Sequence, residues 1–370
     1  MEMGNKVANR SVVAMLVLSR LFLLLMYNPQ KDPQLRSSGY LLMLLVGYGL
    51  VLLSLVPAWL LLRQRPEQGL AEAAGLLWPA SRQVVALGFG LLCLAAVVET
   101  AVQFEFFMTS AVYPDVSHWM VLAIFLLAAG YLGWLGLEAL SRLAVVVLVL
   151  TVLSFAVVFA GVNQEIDLLN LYSPLYYGWG PVLRSAVRFW GLHVEAAAFL
   201  LLIPRLQSPR PWKTFLWYTG ISLAVLEGIL FVVNGVLGSF GRTRTFPIYT
   251  VFSLSGSSIF YRMDYIHIVS WVAISLVRAV LYLILGAQML GQLLPLSARP
   301  VALWLLLGAA GGFSLLLLGG MPDQGLGMLF FLSGALELGL VVVLPTVVLG
   351  RLRFGKSPAA VKGGGGHAGD

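Results

Sequence analysis

The sequence predicts an all-α polytopic membrane protein of about ten transmembrane helices, and three observations carry that expectation. Only 11% of its 370 residues are charged while 59% are hydrophobic, against roughly 25% charged residues in soluble domains. The mean hydropathy is +0.91. Apolar runs of about 20 residues, long enough to cross a hydrocarbon core, recur along the chain with turn-forming clusters between them.

The first run, Ser11–Tyr27, lies where a signal peptide would lie. It lacks a small-residue cleavage site and nine more runs follow, so it is expected to be retained. The next are Gly39–Leu62, Val84–Phe107, Trp119–Leu135, Leu143–Val162 and Val182–Ile203. The last four are Phe215–Leu237, Ile266–Met289, Val301–Leu318 and Leu326–Leu349. Clusters such as "NPQKDPQ" from Asn28, "RQRPEQG" from Arg63 and "GGMPDQG" from Gly319 separate them. Two longer connections, Asn163–Pro181 and Ser239–Tyr265, are rich in aromatic and apolar residues and predict ordered interfacial segments. Residues 1–357 form one transmembrane domain by this reading, and the glycine-rich tail over 358–370 is expected to be disordered and cytoplasmic.

The formal charge of +7 and pI of about 9.6 have a topological explanation and do not point to nucleic acid. Basic residues concentrate in alternate loops, among them Arg63, Arg65, Arg205, Arg210, Lys213, Arg351 and Arg353. That bias, with an even number of spans, predicts both termini in the cytoplasm. Cys93 is the one cysteine, so no internal disulfide forms, and it is expected to pack as a small apolar residue.

Ionisable groups inside spans are costly unless paired or hydrated, so each is a functional candidate. The alternative for each is a polar contact that packs helices, or a side chain reaching the headgroups. Arg20 sits too deep in the first run to snorkel comfortably, and a structural ion pair and a ligand or ion-path role are both open to it. In "RFWGLHVEAAAFLLLIP", from Arg188, an unbroken helix puts Arg184, Arg188, Gly191 and Glu195 on one face and turns His193 away. The "HVE" spacing is not that of a metal-ligand pair. Unwinding near Gly191 would reunite His193 and Glu195. Asp264, His267, Trp271, Ser275 and Arg278 share a face of the eighth run. Glu99 and Gln103 are neighbours in the third, as are Glu227 and Asn234 in the seventh, and Glu337 lies midway along the last. The deep acids Glu99, Glu195, Glu227 and Glu337 outnumber Arg20 and Arg278, which suits a polar pathway or a site for a cationic group. No nucleotide loop, dinucleotide fingerprint or cysteine–histidine cluster is present, and nothing argues for an enzyme or a cofactor. "GYLGWLG" from Gly130 hints at close helix packing.

Several segments together resemble the spore germination permeases, the membrane-embedded B subunits of germinant receptors, in the amino acid–polyamine–organocation superfamily. They are "GLEALSR" at Gly136–Arg142, "GWGPVLRSAVRFWGLHVEAAAFLLLIP", "TFPIYTVFSLSGSSIFYRMDYIHIVSWVAI" and "VYPD" after the third run. The first run departs from the family pattern: "LSRLFLLLMYNP" stands where relatives commonly carry a glycine-rich unwinding point.

The resemblance implies a LeuT-like five-plus-five inverted repeat, with repeats over about 11–162 and 182–349. It implies a mid-membrane ligand site between the first, third, sixth and eighth spans. On that scheme Arg20, Glu99, Gln103, Gly191, His193, Glu195, Trp271, Ser275 and Arg278 are candidate ligand-binding residues. Glu138, Arg142, Arg188, Arg262 and Asp264 are candidate structural or gating residues, with no metal site. The function implied is sensing of a small germinant, an amino acid by expectation, in the spore inner membrane or cell membrane, together with A and C receptor subunits. The alternatives are a proton- or ion-coupled amino acid transporter, and a component of an ion or water pathway.

Overall fold

The computed structural model describes residues 6–26, 35, 37–64, 69–75, 77–78, 80–171, 173–255, 264–320 and 322–354. The 358–370 tail and Arg262 lie outside the described residues. Among those described, helix dominates and no strand occurs; Val7 and Leu206 form an isolated parallel bridge. Nine helical stretches among them are long and apolar enough to cross a membrane.

In chain order the α-helices are α1 (Asn9–Met26), α2 (Ser37–Ser54), α3 (Val56–Gln64), α4 (Leu70–Ala74) and α5 (Ser81–Phe107). They continue with α6 (His118–Val162), α7 (Trp179–Gly191), α8 (Glu195–Leu202), α9 (Pro211–Leu237) and α10 (Pro247–Leu254). The last are α11 (Asp264–Gly291), α12 (Ala302–Gly319), α13 (Pro322–Glu337) and α14 (Leu344–Phe354). The second span is α2 running on into α3, and the tenth is α13 and α14 joined by a π-helical turn over Leu338–Val343. The described parts of the two long connections hold helical pieces: short 3-10 turns after α6, and α10 before α11.

At 45 residues, α6 would be about 67 Å long, twice the hydrocarbon core. It is two spans. Gly136 interrupts it with φ 89° and ψ 178°, a conformation essentially confined to glycine. Side-chain contacts show that the chain doubles back there. Before the break, Phe125 stacks on Phe104 (4.1 Å between ring centroids), which stacks on Trp271 (5.0 Å). After it, Ser154 meets Ser270, the neighbour of Trp271, at 3.2 Å. Gly133, at the bend, faces Leu283 much further along α11. On a continuous helix Phe125 and Ser154 would stand about 43 Å apart. Counting the two halves separately brings the number of spans to the ten expected.

The sixth span does the opposite: the sequence reads as one run, and the structure divides it into α7 and α8 with Leu192–Val194 between them. The proposed shared face of Arg184, Arg188, Gly191 and Glu195 therefore does not exist as a helical stripe. By contrast α1 is continuous through Ser19 and Arg20.

Every residue of α1 from Ser11 to Leu25 is buried, the pattern of a helix surrounded on all sides. It packs on α6, α9, α11 and α8, while α6 and α12 present apolar residues such as Leu127, Val149 and Leu316 outward. Lipid tails are as apolar as leucine, so helix association in a bilayer depends on close packing and polar contacts. Close packing is visible where Gly286 of α11 meets Cys93 of α5 and Leu306 of α12, and where Gly130 meets Trp304 and Leu307. The Val7–Leu206 bridge ties the start of α1 to the end of α8, with Val7 N–H donating to the Arg205 carbonyl at 2.8 Å. Asn9 reinforces that tie by bonding Ser208 and Thr214.

Candidate functional site

Breaking a helix exposes two opposite partial charges. The C-terminal end of α7 is negative and the N-terminal end of α8 is positive. Each end has a matching ion. Arg20 of α1 donates to the Leu192 carbonyl at 2.9 Å and to the Phe189 carbonyl at 3.5 Å. Its guanidinium also lies 3.9 Å from the centre of the Phe189 ring. Glu195 occupies the first turn of α8 with no solvent exposure. The two side chains are 3.7 Å apart, so the break is bracketed by one cation and one anion.

Glu195 pairs more closely with Arg278 of α11, whose Nη1 donates to Oε1 at 2.9 Å. Arg278 uses its whole fork. Nη1 also reaches the Ser19 carbonyl and hydroxyl, both at 3.0 Å, Nε donates to Thr100 at 3.0 Å and Nη2 to Glu99 at 3.2 Å. Ser19 donates to Glu195 at 2.7 Å and stands 3.3 Å from the Tyr282 hydroxyl. The result is a buried network of two arginines and two glutamates spanning α1, α5, α8 and α11. Burying four charges is tolerable only with this density of pairing. One acceptor is not filled: Glu195 Oε2 makes no hydrogen bond, and Arg20 is the cation beside it.

Aromatic side chains enclose the network. Trp271, two turns from Arg278 on α11, contacts Phe22, Phe104 and Phe107, and Phe22 and Tyr282 both lie near the Arg278 guanidinium. His193, in the break, turns away from Glu195 and meets the Tyr218 hydroxyl at 2.7 Å, with Tyr48 against its ring. The backbone approaches closely here as well. A Cβ on Gly334 of α13 would sit 2.7 Å from the Gly191 carbonyl oxygen. Glu337, on the same helix and buried, faces the His193 backbone and has Oε2 without a partner.

Among the residues singled out from sequence, the structure thus brings together Arg20, Glu99, Glu195 and Arg278, with His193 in the break and Gly191 at its edge. Gln103 stands 3.5 Å from Glu99 at the edge. Trp271 contributes its ring. Ser275 is buried but spends its hydroxyl on the Trp271 carbonyl of its own helix at 2.7 Å, and stands outside the network. The Asp264–Arg278 face of α11 is buried throughout, with Asp264 and His267 remote from the charges at its start. Glu138 and Arg142 pair with each other at 2.5 Å on a solvent- or lipid-facing surface just after the Gly136 bend. Arg188 is exposed on α7. Ser19, Thr100 and Tyr282 were missed. Each is beside or one turn from a singled-out charge, and that adjacency is the signal that would have found them. Nothing in the sequence marks Tyr48 or Tyr218.

No group of three or more metal-ligating side chains occurs among the described residues. The apolar helices define an all-α polytopic membrane protein, with a charged break in its sixth span. The profile of the family described as "Spore germination protein" matches residues 42–316, and the chain belongs to that family. A search of curated proteins returns no match.

Proposed function

We propose that this chain is the B subunit of a spore germinant receptor, binding a small amino-acid germinant at mid-membrane and passing the signal to A and C subunits. The observation that carries the reading is Glu195. It is buried at the N-terminus of α8, faces Arg20 and Arg278, and keeps Oε2 free of hydrogen bonds. A zwitterion suits this place: its ammonium would take Glu195 Oε2, and its carboxylate would take Arg20 in exchange for the Leu192 carbonyl. Discontinuous helices at the midplane serve bound ions and substrates in this way in transporters with inverted repeats, which supports the five-plus-five arrangement for this chain. Because the charges already satisfy one another, a ligand would have to rearrange internal pairs. It would act as a signal only by binding one arrangement of α1 and α8 better than the other.

The test is binding of a labelled amino-acid panel to the full chain in liposomes. Saturable binding that falls about tenfold or more in Glu195→Gln, with folded yield kept, supports the site. Binding equal to the parent's overturns it. A second reading, proton- or ion-coupled transport, draws support from Glu337 beside the break, whose buried Oε2 has no hydrogen-bond partner. Saturable uptake that depends on a proton gradient would favour it, and binding without uptake would favour the receptor.

A further inference from the structure

A second site lies on the other flank of α1. A groove of about 550 Å³ runs between the later half of α6, α9 and α10, and touches α1 at Leu21. That size is within the range of small-molecule sites, roughly 300–1,000 Å³. Its walls are apolar, with the rings of Phe155 and Phe231 among them, except for two residues that interrupt the surface: Thr151 and Glu227. Thr151 is only 1% exposed, and its hydroxyl has no hydrogen-bond partner. A buried helical threonine ordinarily bonds to the carbonyl one turn back; here the hydroxyl is left over. Glu227 lies midway along α9, and its Oε1 is buried and equally unpartnered. Each unmet polar group is costly in an apolar surrounding. An acyl chain filling the groove would satisfy neither.

We propose that this groove binds a hydrophobic primary amine entering from the bilayer, its ammonium held by Glu227 and Thr151 and its apolar body by the surrounding aliphatic and aromatic side chains. An ammonium supplies three donors, enough for both unmet acceptors, and the neighbouring rings favour a cation. Arg20, next to Leu21, belongs to the charge network on the far side of α1, so the two sites have separate residues. The inference does not depend on what Glu195 binds.

The probe is labelled phenylbutylamine, titrated by equilibrium dialysis against the full chain in phosphatidylcholine liposomes, with binding to empty liposomes subtracted. Phenylbutanol is the uncharged control. Saturable binding of the amine, about tenfold tighter than the alcohol and about tenfold weakened in Glu227→Leu, is expected. Thr151→Val weakens it by a smaller factor, and Glu195→Gln leaves it unchanged. Should Glu227→Leu fail to fold, Thr151→Val decides: an affinity equal to the parent's overturns the proposal. Non-saturable binding, equal affinity for amine and alcohol, or indifference to Glu227→Leu also overturns it and assigns the groove to lipid chains.

Discussion

Arg278 of α11 and Glu195 of α8 meet at 2.9 Å with neither side chain exposed at all. Because Arg278 also holds Glu99, Thr100 and Ser19, it is the hub through which four helices share their charge.

Removing that hub would leave two buried carboxylates without their main cation. Arg278→Met is therefore expected to destabilise the protein by about 3–5 kcal/mol. Adding Glu195→Gln and Glu99→Gln to the same chain should recover much of that loss. Thermal unfolding in detergent reads both steps. A single variant as stable as the parent would show that the network contributes nothing to folding.

Gly334 tests the close approach at the break. Its hydrogen faces the Gly191 carbonyl, where a methyl group would sit 2.7 Å from the oxygen. Backbone cannot move aside as a flexible side chain can, so Gly334→Ala should cost about 1–3 kcal/mol. Gly339, one helical turn or so further on, has open space around it, and its alanine variant is the control.

Gly136 makes a separate prediction. With φ 89° and ψ 178° it has a backbone that alanine adopts only under strain. Nothing lies near enough to obstruct a methyl group, so any loss comes from conformation alone. Gly136→Ala should destabilise by about 1–3 kcal/mol. Gly220→Ala in α9, equally unobstructed, should not, and the difference in unfolding midpoint separates strain from crowding.

Arg20 should not be replaceable by lysine. Its planar fork reaches two carbonyls at the end of α7 while its face covers Phe189. A lysine keeps the charge and loses that shape. Phe189→Leu removes the Arg20 ring contact, worth about 0.5–2 kcal/mol, together with the ring's contacts to Tyr48 and His193, so a double-mutant cycle separates the effects. Arg20→Lys is expected to destabilise in the Phe189→Leu background as well; no loss there would mean that the ring, and not the carbonyl contacts, accounts for the arginine.

Much of the fold is legible in the sequence. Length and hydropathy of each run identified the spans, because the requirement to cross about 30 Å of hydrocarbon acts on each segment locally. The buried face of α11 was readable from Asp264, His267, Trp271, Ser275 and Arg278 for a similar reason, since helical periodicity depends only on spacing. At the sixth span the expectation was met in part: the helix ends at Gly191, where unwinding was open to it, but His193 turns to Tyr218 and is not reunited with Glu195. Hydropathy there is continuous and does not state that three residues leave the helix.

The sequence by itself determined that this is a helical membrane protein with a few deep charges, and it named Arg20, Glu99, Glu195 and Arg278 among them. Only the tertiary structure decided which charges meet. Arg278 chooses Glu195 and Glu99 because α11 packs against both α8 and α5, whereas Glu227, on the opposite flank of α1, faces an apolar groove. Pairing is a property of distance between helices, which no spacing along one helix encodes. The same holds for one end of the break: Glu195 belongs to the first turn of α8 itself, but Arg20 reaches the end of α7 from α1, and that meeting exists only once the bundle has assembled.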